Sequence, residues 1–285
     1  MNIRLAQKPF LSVQGEGIRT GRLTIFVRLF GCNLRCGGFF QTEPTKPETW
    51  ITPILADPKS FKSLNDFPVV EYGCDTLYAI DPRYKHLAID YDIDSLMNDI
   101  TSLLPTYGGK PTWIHPNTGN AYDICFTGGE PLLNQKAIIE ILSKLPSQLG
   151  PEFVQFETNG TKPISAELSD ALQNFNVLFN VSPKLLNVTG EINRYNEKVL
   201  QSYLYNGYVA LKFVVNDKSE SFDELDEIMK NSTLQLPVYV MPVGSSFKQQ
   251  SDYETINRIS VMAVERGYHI SGRLHCILFG NDTER

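Results

Sequence analysis

The chain has 285 residues, enough to bury a large core, and ~200–250 residues is ordinary for one α/β domain. Its 26 basic and 32 acidic residues leave a formal charge of −6 and are interspersed, so no basic stripe offers itself to a nucleic-acid backbone. No window approaches the ~18 consecutive apolar residues of a membrane span, and residues 1–10, with Arg4 and Lys8 and no long apolar run, do not read as a signal peptide. The expectation is a cytoplasmic protein that binds neither nucleic acid nor membrane. Five cysteines, an odd number without a secretory signal, argue for metal binding or buried thiols over a disulfide framework.

In chain order, residues 23–29 form the first strand candidate and lead into the close pair Cys32 and Cys36. Residues 37–72, rich in Pro, Thr and Lys, have little regular patterning and read as a surface insertion, as do residues 108–120 with their Gly, Pro and Asn. Between them, 93–104 reads as a helix. From residue 120 onward, strand candidates at 121–127, 153–158, 177–181, 209–215 and 237–241 alternate with helix candidates at 134–145, 165–173, 219–230 and 252–265. In the last of these the apolar face is Tyr253, Ile256, Ile259 and Ala263, with Asp252 as cap. The alternation implies βαβ units and a parallel sheet, open or closed into a full or partial barrel. Ligands then gather at the carboxyl ends of the strands.

The polar turns fall at those ends. Cys32 and Cys36, four apart on a loop leaving a strand, can face one metal centre, and Cys74 begins Cys74-Asp75-Thr76 beyond the insertion. Three thiolates would hold a [4Fe–4S] cluster with one iron left open. A zinc knuckle completed by a histidine is the competing reading of the same cysteines. Cys125 and Cys276 lie in apolar runs and read as buried. Thr127-Gly128-Gly129-Glu130-Pro131 joins a strand to a helix, its glycines allowing close backbone approach. Glu157-Thr158-Asn159-Gly160-Thr161 and Ser182-Pro183-Lys184 end two further strands, and three such turns would converge on one rim.

This combination resembles the radical S-adenosylmethionine (SAM) superfamily and, within it, the 7-carboxy-7-deazaguanine synthases. The resemblance is carried by Ser12-Val13-Gln14-Gly15-Glu16-Gly17, Phe26-Val27-Arg28, the Gly-Gly-Glu-Pro turn, Cys74-Asp75-Thr76, Ser182-Pro183-Lys184, residues 212–215 and Arg273-Leu274-His275, spread from Ser12 to Asn281. It implies an α/β fold, a partial (β/α) barrel with a mostly parallel sheet, as a single domain over residues 1–285 interrupted at 37–72 and 108–120. It also implies a [4Fe–4S] cluster on Cys32, Cys36 and Cys74. SAM would be held by Gly73, Cys74, Asp75, Gly129, Glu130, Glu157, Asn159, Ser182, Pro183 and Lys184. A carboxylated tetrahydropterin would meet Val13, Gln14, Gly15, Glu16, Arg28, Thr127 and His275, with Arg28 on its carboxylate, and Thr76 would ligate Mg²⁺. His275 is placed at the end of the last strand, on substrate or in the core. A flavodoxin- or ferredoxin-like reductant and a homodimer complete what the family suggests.

The sequence departs from the family in two places. Phe39 stands where the third cysteine is usual, so the cluster motif is split by residues 37–72, and residues 280–285 lack the family's small-residue ending. Rival readings are another radical SAM enzyme, such as an activase, a synthase acting on an altered pterin, and a non-catalytic zinc protein of the same fold.

Overall fold

The computed structural model describes residues 2–51, 57–70, 72–146, 148–192 and 195–280; the expected departure at the carboxyl end falls almost wholly outside them. The chain opens with strands β1 (Asn2–Leu5), β2 (Phe10–Val13) and β3 (Leu23–Leu29). Helix α1 (Leu77–Ile80), strand β4 (Ile89–Asp92) and helix α2 (Ile93–Ser102) follow the insertion. A small hairpin, β5 (Thr106–Tyr107) and β6 (Lys110–Pro111), precedes β7 (Asp123–Gly128), α3 (Gln135–Lys144), β8 (Val154–Thr158), α4 (Ala166–Leu172) and β9 (Val177–Val181). Then come α5 (Leu186–Thr189), α6 (Glu197–Leu204), β10 (Tyr208–Val215), α7 (Ser219–Asn231) and β11 (Val238–Pro242). Helices α8 (Phe247–Gln250) and α9 (Tyr253–Glu265), strand β12 (His269–Ile270) and helix α10 (Leu274–Phe279) finish the described chain.

The main sheet runs β12-β11-β10-β9-β8-β7-β3-β1-β4, with β2 also paired to β3. Every neighbouring pair from β3 to β12 is parallel, while β1, β2 and β4 are antiparallel additions. The strand order is open, which is the architecture of a partial barrel. In β3, Ile25, Val27 and Leu29 are fully buried on one side, and Phe26 and Arg28 are half-buried on the other. The register carries that alternation across the sheet: Arg28 pairs with Thr127 and Glu157 with Asn180, and Lys212 stands two residues beyond Ala210, the partner of Asn180. Polar groups therefore line the concave face, and the convex face packs the core under α3, α4, α6 and α7.

Aromatic rings dominate that core. Phe156 and Phe179 stack at 5.0 Å, and Phe179 stacks on Tyr203 of α6 at 4.7 Å. The elements expected from periodicity stand within a residue or two of their bounds, and Cys125 and Cys276 are buried as expected. Several expectations need correction. Residues 274–279 are helical, so His275 lies in the first turn of α10 and not at a strand end. Tyr253 is 78% exposed, and Asp252 makes no side-chain cap to the backbone, accepting instead from the Thr255 hydroxyl. Within residues 108–120, Trp113 is driven into the main core, 3% exposed, so this excursion is anchored.

The described part of the 37–72 insertion is similarly pinned. Phe61 and Phe67 pack with Tyr78 and Tyr84 in a second apolar cluster, Phe67 edge-on to Tyr84 at 4.9 Å. At its base, the Gly73 N–H donates to the Phe39 carbonyl at 2.9 Å, which returns the chain beside its point of departure.

Phe179→Ala removes a ring stacked on both faces, so it should cost about 3–5 kcal/mol of unfolding free energy, read from urea denaturation.

Candidate active site

One cavity opens at the carboxyl ends of the parallel strands, and every turn singled out in the sequence contributes to it. Cys32, Cys36 and Cys74 all line it, as do Gly73, Asp75, Thr76, Gly129, Glu157, Asn159, Ser182 and Lys184. The same lining includes Val13, Gln14, Gly15, Glu16, Arg28, Thr127 and His275. Two expected residues do not reach it. Pro183 is buried beneath the rim. Glu130 is 0% exposed, and its carboxylate accepts from the Leu132 N–H, the Thr158 hydroxyl and the Asn159 N–H at 3.0, 2.8 and 2.7 Å. Glu130 thus ties the turn after β7 to the turn after β8 from behind.

The thiol loop is built by close backbone approach. A Cβ on Gly129 would lie 2.2 Å from the Gly31 carbonyl oxygen, so glycine lets the two turns touch. Cys32 Sγ accepts from the Leu34 N–H at 3.4 Å and lies 3.8 Å from Asn159 Nδ2. Cys36 adopts φ +50°, a left-handed conformation that a non-glycine residue rarely takes. Cys74 Sγ is 3.3 Å from the Thr76 hydroxyl. Burial raises the pKa of all three thiols, Cys74 to about 11. Metal coordination deprotonates such thiols outright. Among the described residues no three or more His, Cys, Asp or Glu side chains are gathered around a single ion point. The fit to an iron–sulfur cluster rests on the donor set: three thiols from two chain segments facing one cavity.

Along the cavity wall runs a chain of largely buried charges. The Lys212 ammonium, 4% exposed, donates to Glu157 Oε2 at 2.7 Å and to Glu16 Oε2. Glu16 Oε1 accepts from Arg273 Nε at 2.9 Å, and Arg273 reaches Asp75 at 2.8 Å. Burial pushes the Glu16 carboxyl up, but Lys212 and Arg273 outweigh it and hold Glu16 ionised, well below the usual range. Burial likewise works against the Lys212 charge, and Glu157 and Glu16 more than restore it. Glu157 Oε1 also accepts from Gln14 and Asn180, so this carboxylate is already engaged on both oxygens. Lys212, Asn180 and Arg273 had no site role on sequence grounds. The available signal was a lysine inside the apolar run 209–215, where a buried charge demands partners.

Two polar atoms in the cavity wall contrast with this network. Arg28 Nε and Ser12 Oγ are buried without a hydrogen-bond partner among the described residues. Arg28 stands two residues from Phe26, whose ring stacks on Phe10 at 5.1 Å, so a flat apolar surface adjoins an uncommitted guanidinium.

His275 packs over Gly15, where a Cβ would stand 1.9 Å from its Nδ1. Its pKa falls to about 4, chiefly through burial and then through the charge of Arg273. A base depressed in the folded state contributes its stability fully above the unfolded value near 6.5 and loses it as the pH falls toward about 4. The unfolding midpoint should therefore drop over that window, and His275→Gln should drop less steeply in the same thermal scans.

The family model described as a 4Fe-4S single cluster domain matches residues 13–204. Among similar proteins, the 7-carboxy-7-deazaguanine synthase of Pyrobaculum aerophilum is 25% identical over 275 residues, covering 95% of this chain and 93% of that protein. The enzyme of the same name from Rhodopirellula baltica is 27% identical over 283 residues, covering 97% and 87%. In fold, the chain is similar to the crystal structure of QueE from Escherichia coli, with a TM-score of 0.51 and 21% identity over 96% of this chain and 95% of that one. The family model spans more than half of the chain and contains Cys32, Cys36 and Cys74 between its limits. This chain belongs to the 4Fe-4S single cluster domain family.

Proposed function

We propose that this chain is a radical SAM lyase that converts 6-carboxy-5,6,7,8-tetrahydropterin to 7-carboxy-7-deazaguanine, with ring contraction and loss of ammonia. The observation that carries the reading is the uncommitted Arg28 guanidinium in the same cavity as the three cysteines. A planar cation with free donors suits a carboxylate, which it can grip bidentately. Relatives bearing the synthase name along nearly their whole length support the substrate.

Cys32, Cys36 and Cys74 would hold the [4Fe–4S] cluster, which with bound SAM and an external electron supplies a 5′-deoxyadenosyl radical. Gly73, Gly129, Asn159, Ser182 and Lys184 would receive SAM along the rim, and the Lys184 ammonium, 3.0 Å from the Ser182 hydroxyl, brings positive charge to the thiol side. Glu157 would meet the ribose only while still bound to Lys212. In the same cavity, Val13, Gln14, Gly15 and Thr127 would bind the pterin ring, with Glu16 and His275 beside them. His275 is uncharged at neutral pH and so is suited to accept or donate a hydrogen bond without adding charge. The hydroxyl of Thr76, a residue of the cavity lining, would be the single protein ligand of Mg²⁺, an ion that keeps water and substrate oxygens in its shell. A cytoplasmic homodimer reduced by a flavodoxin- or ferredoxin-like protein belongs to the same reading. Among the described residues no helix is long and apolar enough to cross a membrane.

The test is anaerobic reconstitution with iron and sulfide, then incubation with dithionite, SAM and the carboxylated tetrahydropterin. Mass spectrometry should find both 5′-deoxyadenosine and 7-carboxy-7-deazaguanine, and Cys74→Ala should abolish both. 5′-Deoxyadenosine without the deazaguanine would leave the radical SAM chemistry standing and reject the substrate. In Arg28→Met the loss of a charge-assisted contact worth about 1.5–3 kcal/mol should lower kcat/KM for the pterin at least tenfold, read from initial rates.

A further inference from the structure

The split cluster loop needs a device to hold Cys36, because residues 37–72 separate it from the third thiol. Cys36 sits at φ +50°, a left-handed conformation that a non-glycine residue keeps only where its surroundings enforce it. The enforcing group is Glu191, which follows α5 and lies outside the cavity lining. One carboxylate oxygen, Oε1, accepts both the Arg35 N–H at 2.7 Å and the Cys36 N–H at 2.6 Å. Both bonds are charge-assisted and short. The Thr189 hydroxyl accepts from the Glu191 N–H at 3.2 Å, and the Gly38 N–H donates to the Thr189 carbonyl at 2.9 Å. Trp50 of the insertion packs against both Gly37 and Gly190, closing the same junction. On the far side, the Arg35 guanidinium donates to the Ile80 carbonyl at 3.0 Å, so the loop is gripped from both sides.

We propose that Glu191 is the positioning residue of the interrupted thiol loop: its carboxylate fixes the left-handed turn that presents Cys36 to the cluster. The proposal rests on Cys36 being a cluster ligand. It also gives the carboxylate an electrostatic part. A fixed negative charge beside Cys36 disfavours adding an electron to the cluster, since cluster potentials follow local charge and hydrogen bonding. Two backbone N–H groups held by Glu191 are also withheld from the cluster sulfurs.

The experiment compares the full-length wild type with Glu191→Ala and Glu191→Gln, in two forms of the protein. Hydrogen exchange of the iron-free protein reads the clamp directly. Amide protection at Arg35 and Cys36 should fall at least about tenfold in the alanine variant and return in the glutamine variant, which keeps an acceptor oxygen. After anaerobic reconstitution, the alanine variant should surrender iron to a chelator about tenfold faster than wild type. Glutamine should retain iron as wild type does, with the cluster's midpoint potential shifted positive in an optical or electron-paramagnetic titration. A residue that merely stabilised the fold would change unfolding without that potential shift in the glutamine variant. Unchanged protection in Glu191→Ala overturns the proposal, and so does lost protection with wild-type iron retention; both leave the cluster reading intact. A wild type that takes up no iron rejects the cluster reading itself, and the proposal with it.

Discussion

The buried ammonium of Lys212 between Glu16 and Glu157 is the constraint on which the rest of the site depends. Taking three charges out of water is costly, and the cost is offset only if geometry and further hydrogen bonds are good. Here Glu157 belongs to β8, Lys212 to β10 and Glu16 to the turn after β2. The network therefore has to join distant strands of an open sheet. Arg273 extends it to the base of α10 and to Asp75, the residue beside Cys74. An ion chain of this kind specifies one arrangement, because every misplacement leaves a buried charge unpaired.

That chain also explains how an open barrel acquires a closed mouth. The sheet order leaves β12 at one edge and the β2–β3 ribbon near the other. Across the gap, the Leu274 N–H donates to the Gly15 carbonyl at 2.9 Å and the Gly17 N–H to the Ser271 hydroxyl at 2.8 Å. Arg273 to Glu16 adds the charged link. This part of the cavity lining is thus made from the beginning and the end of the chain, with α10 taking the place that a further strand would have in a closed barrel.

Much of this was legible beforehand because strand and helix periods are local. The strands 23–29 and 177–181 match their expected bounds, and the polar turns after them do line one cavity, as parallel βαβ units require. Local reading failed where a short segment answers to distant partners. β1, β2 and β4 are four residues each, too short for a periodic signal, and exist because they pair with β3 or with one another. Residues 274–279 are apolar enough for a strand, yet without a neighbour to pair with they coil onto Gly15 as a helix. Glu130, expected from its motif to help hold SAM, lies off the cavity lining with its carboxylate engaged by Leu132, Thr158 and Asn159.

By itself the sequence determined the alternating βαβ order, the burial of Cys125 and Cys276, the polar turns at strand ends and the resemblance those turns carry. Each is a statement about residues near one another in the chain, where spacing and side-chain period are sufficient. Only the tertiary structure decided that Cys74 lines the same cavity as Cys32 and Cys36, that Lys212 and Arg273 bind Glu16, and that Arg28 Nε is left without a hydrogen-bond partner among the described residues. Charge pairing and chain return are long-range events. They are set by which surfaces meet once the sheet has curved, and no periodicity in the sequence encodes them.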